Sequence, residues 1–237
     1  MGKEQNLANH ILSLPEPQLS QVRGHPAKVL RLIEDYPESF MDIGPVKGKR
    51  IIEEIQKTKP SVMIEMGGYC GYSAILFGNE LKKLNGKYYS FELSDEYAEV
   101  ASKLVDLAGL SGTVEIIVGP ANATLPRFKE WLKEDIIDFV FIDHDKQAYT
   151  PDLRILESLD LIGVGTTIVA DNIIRPGAPE YHSYVTSTPQ QKNEYISVNQ
   201  NPNGSQFVGR WNFVYETELI KMGQDGIDVT KVVKSLN

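Results

Sequence analysis

Residues 136–142 (IIDFVFI) are apolar except for Asp138, and the run breaks off at Asp143, His144, Asp145 and Lys146. Such a run suits a central strand of a parallel sheet covered by helices on both faces, because neither face of the strand then meets water. Ligands of open α/β sheets sit at the carboxyl ends of the strands, where this cluster falls. Thr166 to Ala170 repeats the pattern, β-branched and apolar, and ends at Asp171-Asn172. Two neighbouring strands of this kind would bring the oxygens of Asp143, Asp171 and Asn172 to one place. Taken singly, each Asp is a common turn or helix cap. Two strand-end acids with an adjacent Asn and a nearby Lys favour a shared site instead. Hard oxygen donors without a His or Cys cluster favour Mg²⁺ over Zn²⁺.

A second site is expected upstream. Ser61 to Met66 reads as a strand that enters Gly67-Gly68-Tyr69-Cys70-Gly71 and then a helix from Ala74 to Leu84. Glycines let the backbone approach a ligand, and the helix start offers unpaired N–H groups. The spacing departs from the dinucleotide G-x-G-x-x-G pattern, and any tight strand-to-helix turn accepts glycine. The next strand, Lys87 to Glu92, adds weight by ending in an acid 21 residues after Gly71. An acid at that distance and at a strand tip is placed to accept both hydroxyls of a ribose. Glu92 is therefore the leading cofactor residue, with Leu93 beside it.

The remaining elements follow from periodicity. Helical spacing marks Asn6 to Leu14, Pro26 to Tyr36 and Val46 to Lys57, and a loop with apolar Met41 and Ile43 is placed to act as a lid. Val114 to Val118 reads as a strand and Leu125 to Lys133 as its return helix; Thr150-Pro151 reads as the start of a helix ending near Leu159. The loop Ile173 to Pro179, with Pro176, is apolar enough to border an aromatic ligand. Glu194 to Val198 and Phe213 to Thr217 read as strands, and the segment from Lys221 as a polar tail. A single domain over 1–237 is expected, with a helical cap and lid (1–57), a sheet core (61–217) and a tail (221–237).

Composition narrows the partners. Lys and Arg total 24 against 32 Asp and Glu, net −8, with no basic run, which argues against a nucleic-acid or anionic-membrane partner. The single cysteine, Cys70, excludes an intrachain disulfide and fits a reducing compartment. No stretch reaches the roughly 18 apolar residues of a membrane span. A cytoplasmic protein acting on a small molecule is the expectation, with monomer and weak homodimer both open.

The motifs MDIGPVKG (41–48), IEMGGYCGYSA (64–74), FEL (91–93), AGL (108–110), FIDHDK (141–146) with Tyr149, and ADNIIRPGAP (170–179) together resemble the catechol O-methyltransferases. The resemblance implies a Rossmann-like methyltransferase fold, α/β, with a mostly parallel seven-stranded sheet flanked by helices and an antiparallel last strand. It implies methyl transfer from S-adenosylmethionine to one hydroxyl of a Mg²⁺-chelated catechol. Asp143, Asp171 and Asn172 would hold the metal and Lys146 would be the general base. Glu92 would hold the ribose, and Gly67, Tyr69 and Ser73 the methionine end, with Ile43 and Glu65 near; His144 would meet the adenine edge beside Asp143. Met41, Lys146, Asn172 and Pro176 would touch substrate. The chain departs from the family where Asp145 and Ser39 replace tryptophans, where Ala121-Asn122 replace a Ser-Gln adenine contact, and where residues 199–210 lack an acid for the second hydroxyl. Three other readings stay open: a cofactor-binding protein without turnover, an O-methyltransferase for a non-catechol diol or phenol, and, more remotely, a dehydrogenase.

Overall fold

The computed structural model describes residues 2–132 and 136–237. The chain forms two compact units, Met1–Gly119 and Pro120–Asn237. Among the described residues the strands within each unit pair parallel except the last in sequence, which runs antiparallel to its two neighbours, and this is the α/β class expected.

In the first unit, α1 (Lys3–Leu12), α2 (Glu16–Val22), α3 (Pro26–Glu34) and α4 (Gly44–Thr58) precede β1 (Val62–Met66). They bury narrow apolar stripes. Leu7, Ala8 and Ile11 of α1 are fully buried, with α1 packed on α6 (Asp95–Leu107), and burial of a side chain such as Leu7 or Ile11 contributes roughly 1.5–3 kcal/mol. All of β1 is buried, as a central strand must be. It leads through the glycine turn into α5 (Tyr72–Lys83), and β2 (Lys87–Glu92) and β3 (Val114–Val118) pair parallel beyond it. Gly71 caps α5 at φ +85, and a Cβ there would stand 3.0 Å from the Ala101 backbone of α6, so this turn needs glycine on two counts.

The second unit runs α7 (Ala121–Trp131), β4 (Phe139–Ile142), α8 (Tyr149–Ser158), β5 (Thr167–Ala170), a wide helical turn at Ile173–Gly177, α9 (Pro179–Thr186), α10 (Pro189–Val198), β6 (Phe213–Met222) and β7 (Asp225–Ser235). Strands β4 and β5 are parallel and wholly buried.

Several expectations are corrected. Residues 136–138 lie outside the strand, which starts at Phe139; Ile137 N–H instead bonds Leu161 O. The return helix starts four residues earlier than expected, at Ala121, and Lys133 lies outside the described residues. Helix α8 starts at Tyr149, before Thr150-Pro151. Glu194 to Val198 is the end of α10, whose start is fixed by a capping box between Thr188 and Gln191 with Pro189 in the first turn. The supposed tail is the end of β6 plus β7, which pairs antiparallel with both β5 and β6. Gly223-Gln224 closes that hairpin, with Met222 and Asp225 the last matched pair, and the alternation in IDVTKVV is the strand signal that polarity concealed.

Candidate active site

In the first unit, Glu92 ends β2 and is nearly buried. Its Oε2 accepts the Tyr69 N–H at 2.7 Å and its Oε1 the Ser94 N–H at 2.8 Å. A carboxylate has about four acceptor positions, so two remain for a ligand's donors. Ser94 also caps α6, accepting the Tyr97 N–H at 3.3 Å. The β1 end is tied to β2 where Gly67 N–H donates to Phe91 O at 2.8 Å. A Cβ on Gly68 would stand 2.2 Å from Ser90 Oγ, which itself donates to Glu65 Oε2 at 2.6 Å. Glu65 is thus a fully buried acid under the turn. Ser73 is buried in the first turn of α5.

Tyr69 has both its backbone and its side chain committed. Its φ is +43, its hydroxyl donates to Glu4 Oε1 at 2.6 Å, and its ring stands edge-on to Tyr97 at 4.9 Å. Burial, and then the Glu4 carboxylate, hold its phenol above the ordinary range. Ile43 is buried at the start of α4, while Met41 and Leu93 are 72% and 71% exposed, which leaves both free to meet a ligand.

In the second unit, the register of β4 and β5 matches Ile142 with Ala170, and the Asp171 N–H donates to Ile142 O at 3.0 Å. Asp143 and Asp171 are therefore the next matched pair, on strands about 4.8 Å apart. Asn172 follows at φ +58, a conformation Asn tolerates. Its Nδ2 donates to Asp225 Oδ2 at 2.9 Å and Arg175 O at 3.3 Å. Both partners are acceptors, which fixes the amide's orientation and leaves Oδ1 as the atom it can present. Asp225 Oδ1 accepts the N–H groups of Ile174 and Arg175, clamping the turn that carries Pro176.

Lys146 Nζ donates to Asp143 Oδ1 at 2.9 Å and to the Tyr149 hydroxyl at 2.7 Å. Tyr149 is fully buried and its O–H donates to Asp171 O at 3.2 Å. Burial, then the Asp143 and Asp171 carboxylates, hold the Tyr149 phenol far above its ordinary value, so it stays neutral. Two of the three donor positions on Nζ are thereby fixed, and one is left for a ligand. His144 Nε2 is paired with Asp152 Oδ2 at 3.0 Å, and its Nδ1 is buried without a partner among the described residues. Asp145 caps the turn at Lys146–Ala148 through the Gln147 N–H.

Among the described residues no three His, Cys, Asp or Glu side chains form a metal cage. The donors available to a cation are two carboxylates and one amide oxygen, a set that suits Mg²⁺, which keeps positions for water and substrate oxygens. Sequence reasoning missed Asp225, Asp152 and Glu4. Asp225 is the first residue of β7, just after the Gly223-Gln224 turn, and carries no local signal of its partners; Glu4 reads in sequence only as a first-turn helix acid.

Comparison with known proteins identifies the family and the fold. The sequence profile described as O-methyltransferase matches residues 27–203. The chain is 34% identical over 187 residues to catechol O-methyltransferase of Bos taurus, covering 78% of this chain and 66% of that protein. With catechol O-methyltransferase of Sus scrofa it shares 38% over 148 residues, 62% of this chain and 79% of the other. The O-methyltransferase from Bacillus cereus, solved in complex with SAH, superposes with a TM-score of 0.59 at 23% identity, covering 96% of each chain, and so shares the fold.

Proposed function

Because the chain belongs to the O-methyltransferase family of S-adenosylmethionine-dependent enzymes, we propose that it methylates one hydroxyl of a catechol-like small molecule held by Mg²⁺. The observation that carries this reading is the matched pair Asp143 and Asp171 at adjacent strand ends, with the Asn172 amide turned by Asp225 and Lys146 paired to Asp143. These donors fit Mg²⁺, which when bound supplies Lewis-acid chelation of two vicinal oxygens and lowers their pKa.

In this reading Asp143, Asp171 and Asn172 would hold the cation beside the diol. Lys146 Nζ takes the proton of the attacked hydroxyl at the position that Asp143 and Tyr149 leave open. Tyr149, neutral and donating to Asp171 O, offers Nζ only an acceptor and so cannot occupy that position with its own proton. The new O–CH₃ bond forms as the S–CH₃ bond breaks, leaving a neutral thioether and the proton on Lys146. Glu92 holds the ribose, and Gly67, Tyr69 and Ser73 the methionine end, with Ile43, Glu65, Leu93 and His144 bordering the cofactor. Met41 and Pro176 border the substrate ring. Holding the reactants collinear supplies much of the rate in such a displacement.

A mass-spectrometric assay of methyl transfer from S-adenosylmethionine to vicinal diols and to single phenols tests the reading. Diols should gain one methyl group and single phenols none. Binding of S-adenosylmethionine without transfer to any diol would support the cofactor-binding protein instead, and turnover of single phenols would overturn chelation.

A further inference from the structure

Lys3 and Glu4, the first residues of α1, reach two separate loops. Lys3 Nζ donates to Ser39 O at 2.6 Å and lies 5.1 Å from the centre of the Phe40 ring, in the segment before Met41. Glu4 Oε1 accepts the Tyr69 hydroxyl at 2.6 Å, in the glycine turn. The helix that carries them is anchored: Leu7, Ala8 and Ile11 are fully buried and α1 packs on α6. The residue before α6, Ser94, donates its N–H to Glu92, and Glu92 also takes the Tyr69 N–H. A closed ring of contacts therefore runs from α1 through Glu4, Tyr69, Glu92 and Ser94 to α6 and back to α1.

Tyr69 needs such a ring. At φ +43 it adopts the left-handed conformation with a bulky side chain, which persists only where surrounding contacts over-determine it. Its amide holds Glu92 and its ring meets Tyr97 edge-on, but its hydroxyl has Glu4 as the partner that joins the turn to a rigid helix. The same hydrogen bond keeps the Glu4 carboxyl below its usual range, so the acceptor is ionised at neutral pH.

We propose that Glu4 is a positioning residue for the methyl donor: the first turn of α1 holds Tyr69 in the backbone conformation that aims its N–H at Glu92 and so sets the carboxylate that receives the ribose. The inference rests on the reading of Glu92 and the glycine turn as the S-adenosylmethionine site. If the tie is cut, the turn relaxes, the competent conformation becomes a minority state, and apparent affinity falls by the lost fraction.

Titration calorimetry with S-adenosylmethionine, together with thermal unfolding, tests this on the full chain. Glu4→Ala and Tyr69→Phe should each weaken binding about tenfold, or ~1.4 kcal/mol. The double variant should be no weaker than either single one, because both remove the same hydrogen bond. Glu4→Gln keeps an oxygen acceptor for the phenol and should bind within about threefold of the parent, a difference of ~0.65 kcal/mol. Unfolding midpoints should stay within about 3 °C throughout, since one half-exposed hydrogen bond is lost. Parent-like affinity in Glu4→Ala, a double variant weaker by about a hundredfold, or a Gln variant as weak as Ala would each overturn the positioning role while leaving the cofactor reading intact. A parent that does not bind S-adenosylmethionine would overturn the cofactor reading itself.

Discussion

Lys192 gives the sharpest quantitative test of the second unit's packing. It lies on α10 with no exposed surface, its Nζ 4.0 Å from the centre of the Tyr215 ring and 5.6 Å from that of Tyr184, donating to Arg210 O at 3.2 Å. Burial pushes its pKa down to about 8, with Glu157 opposing. Glu157 does not depend on Lys192, because it accepts hydrogen bonds from the Tyr184 hydroxyl, the Tyr215 hydroxyl and the Arg210 N–H. The folded-state pKa lies below the model-compound value of 10.5, so between about pH 8 and 10.5 the unfolded chain binds more protons and stability rises with pH. At ~1.36 kcal/mol per unit across that window, moving from pH 7 to pH 9 should stabilise the parent by about 1 kcal/mol through this group. Lys192→Met keeps the apolar stem and removes the titration. Its stability relative to the parent should be greatest at pH 7 and shrink by about 1 kcal/mol by pH 9. Denaturant unfolding of both proteins at pH 7, 8 and 9 measures this, and titrations elsewhere largely cancel in the difference. A gap that is constant with pH, or that widens, would refute the assignment of a depressed, buried ammonium.

Two further outcomes concern the candidate catalytic residues. Asp225→Ala removes the partner that orients Asn172 and clamps Ile174 and Arg175, so the Mg²⁺ needed for half-maximal turnover should rise about 10–100-fold while S-adenosylmethionine affinity is kept. An unchanged Mg²⁺ requirement would mean that Asn172 is oriented by something else. Lys146→Met should leave S-adenosylmethionine binding within about twofold and cut turnover by about 10²–10⁴, the range for a positioned base; equal turnover in the variant and the parent would remove Lys146 from that role.

The parts of the fold that were legible in the sequence are those where local pattern and tertiary role agree. Buried parallel strands such as β4 and β5 have apolar runs because both faces are covered, and their ends are marked by Asp143 and Asp171. The glycine turn is legible because Gly71 meets two independent demands, positive φ and contact with Ala101. Helix α10 was misread because its few apolar residues, Tyr195, Ile196 and Val198, are β-prone, whereas its start is written in Thr188, Pro189 and Gln191. Strand β7 was misread because Asp228 and Thr230 occupy fully buried positions, so the strand looks polar although it lies inside the sheet; burial raises the Asp228 pKa, with His182 opposing at 2.8 Å. Contacts between distant segments, such as Glu4 to Tyr69 and Asn172 to Asp225, leave no periodic trace in the chain.

The most direct test of the central claim is the Mg²⁺ dependence of methyl transfer to a vicinal diol in the parent and in Asp171→Ala, with S-adenosylmethionine saturating. The account predicts that chelator abolishes turnover in the parent, that added Mg²⁺ restores it, and that Asp171→Ala needs at least roughly 100-fold more metal to reach the same rate, the upper end of the loss seen when even an indirect metal contact is removed. Turnover that persists in chelator, or an Asp171→Ala variant with the parent's Mg²⁺ requirement, would contradict it.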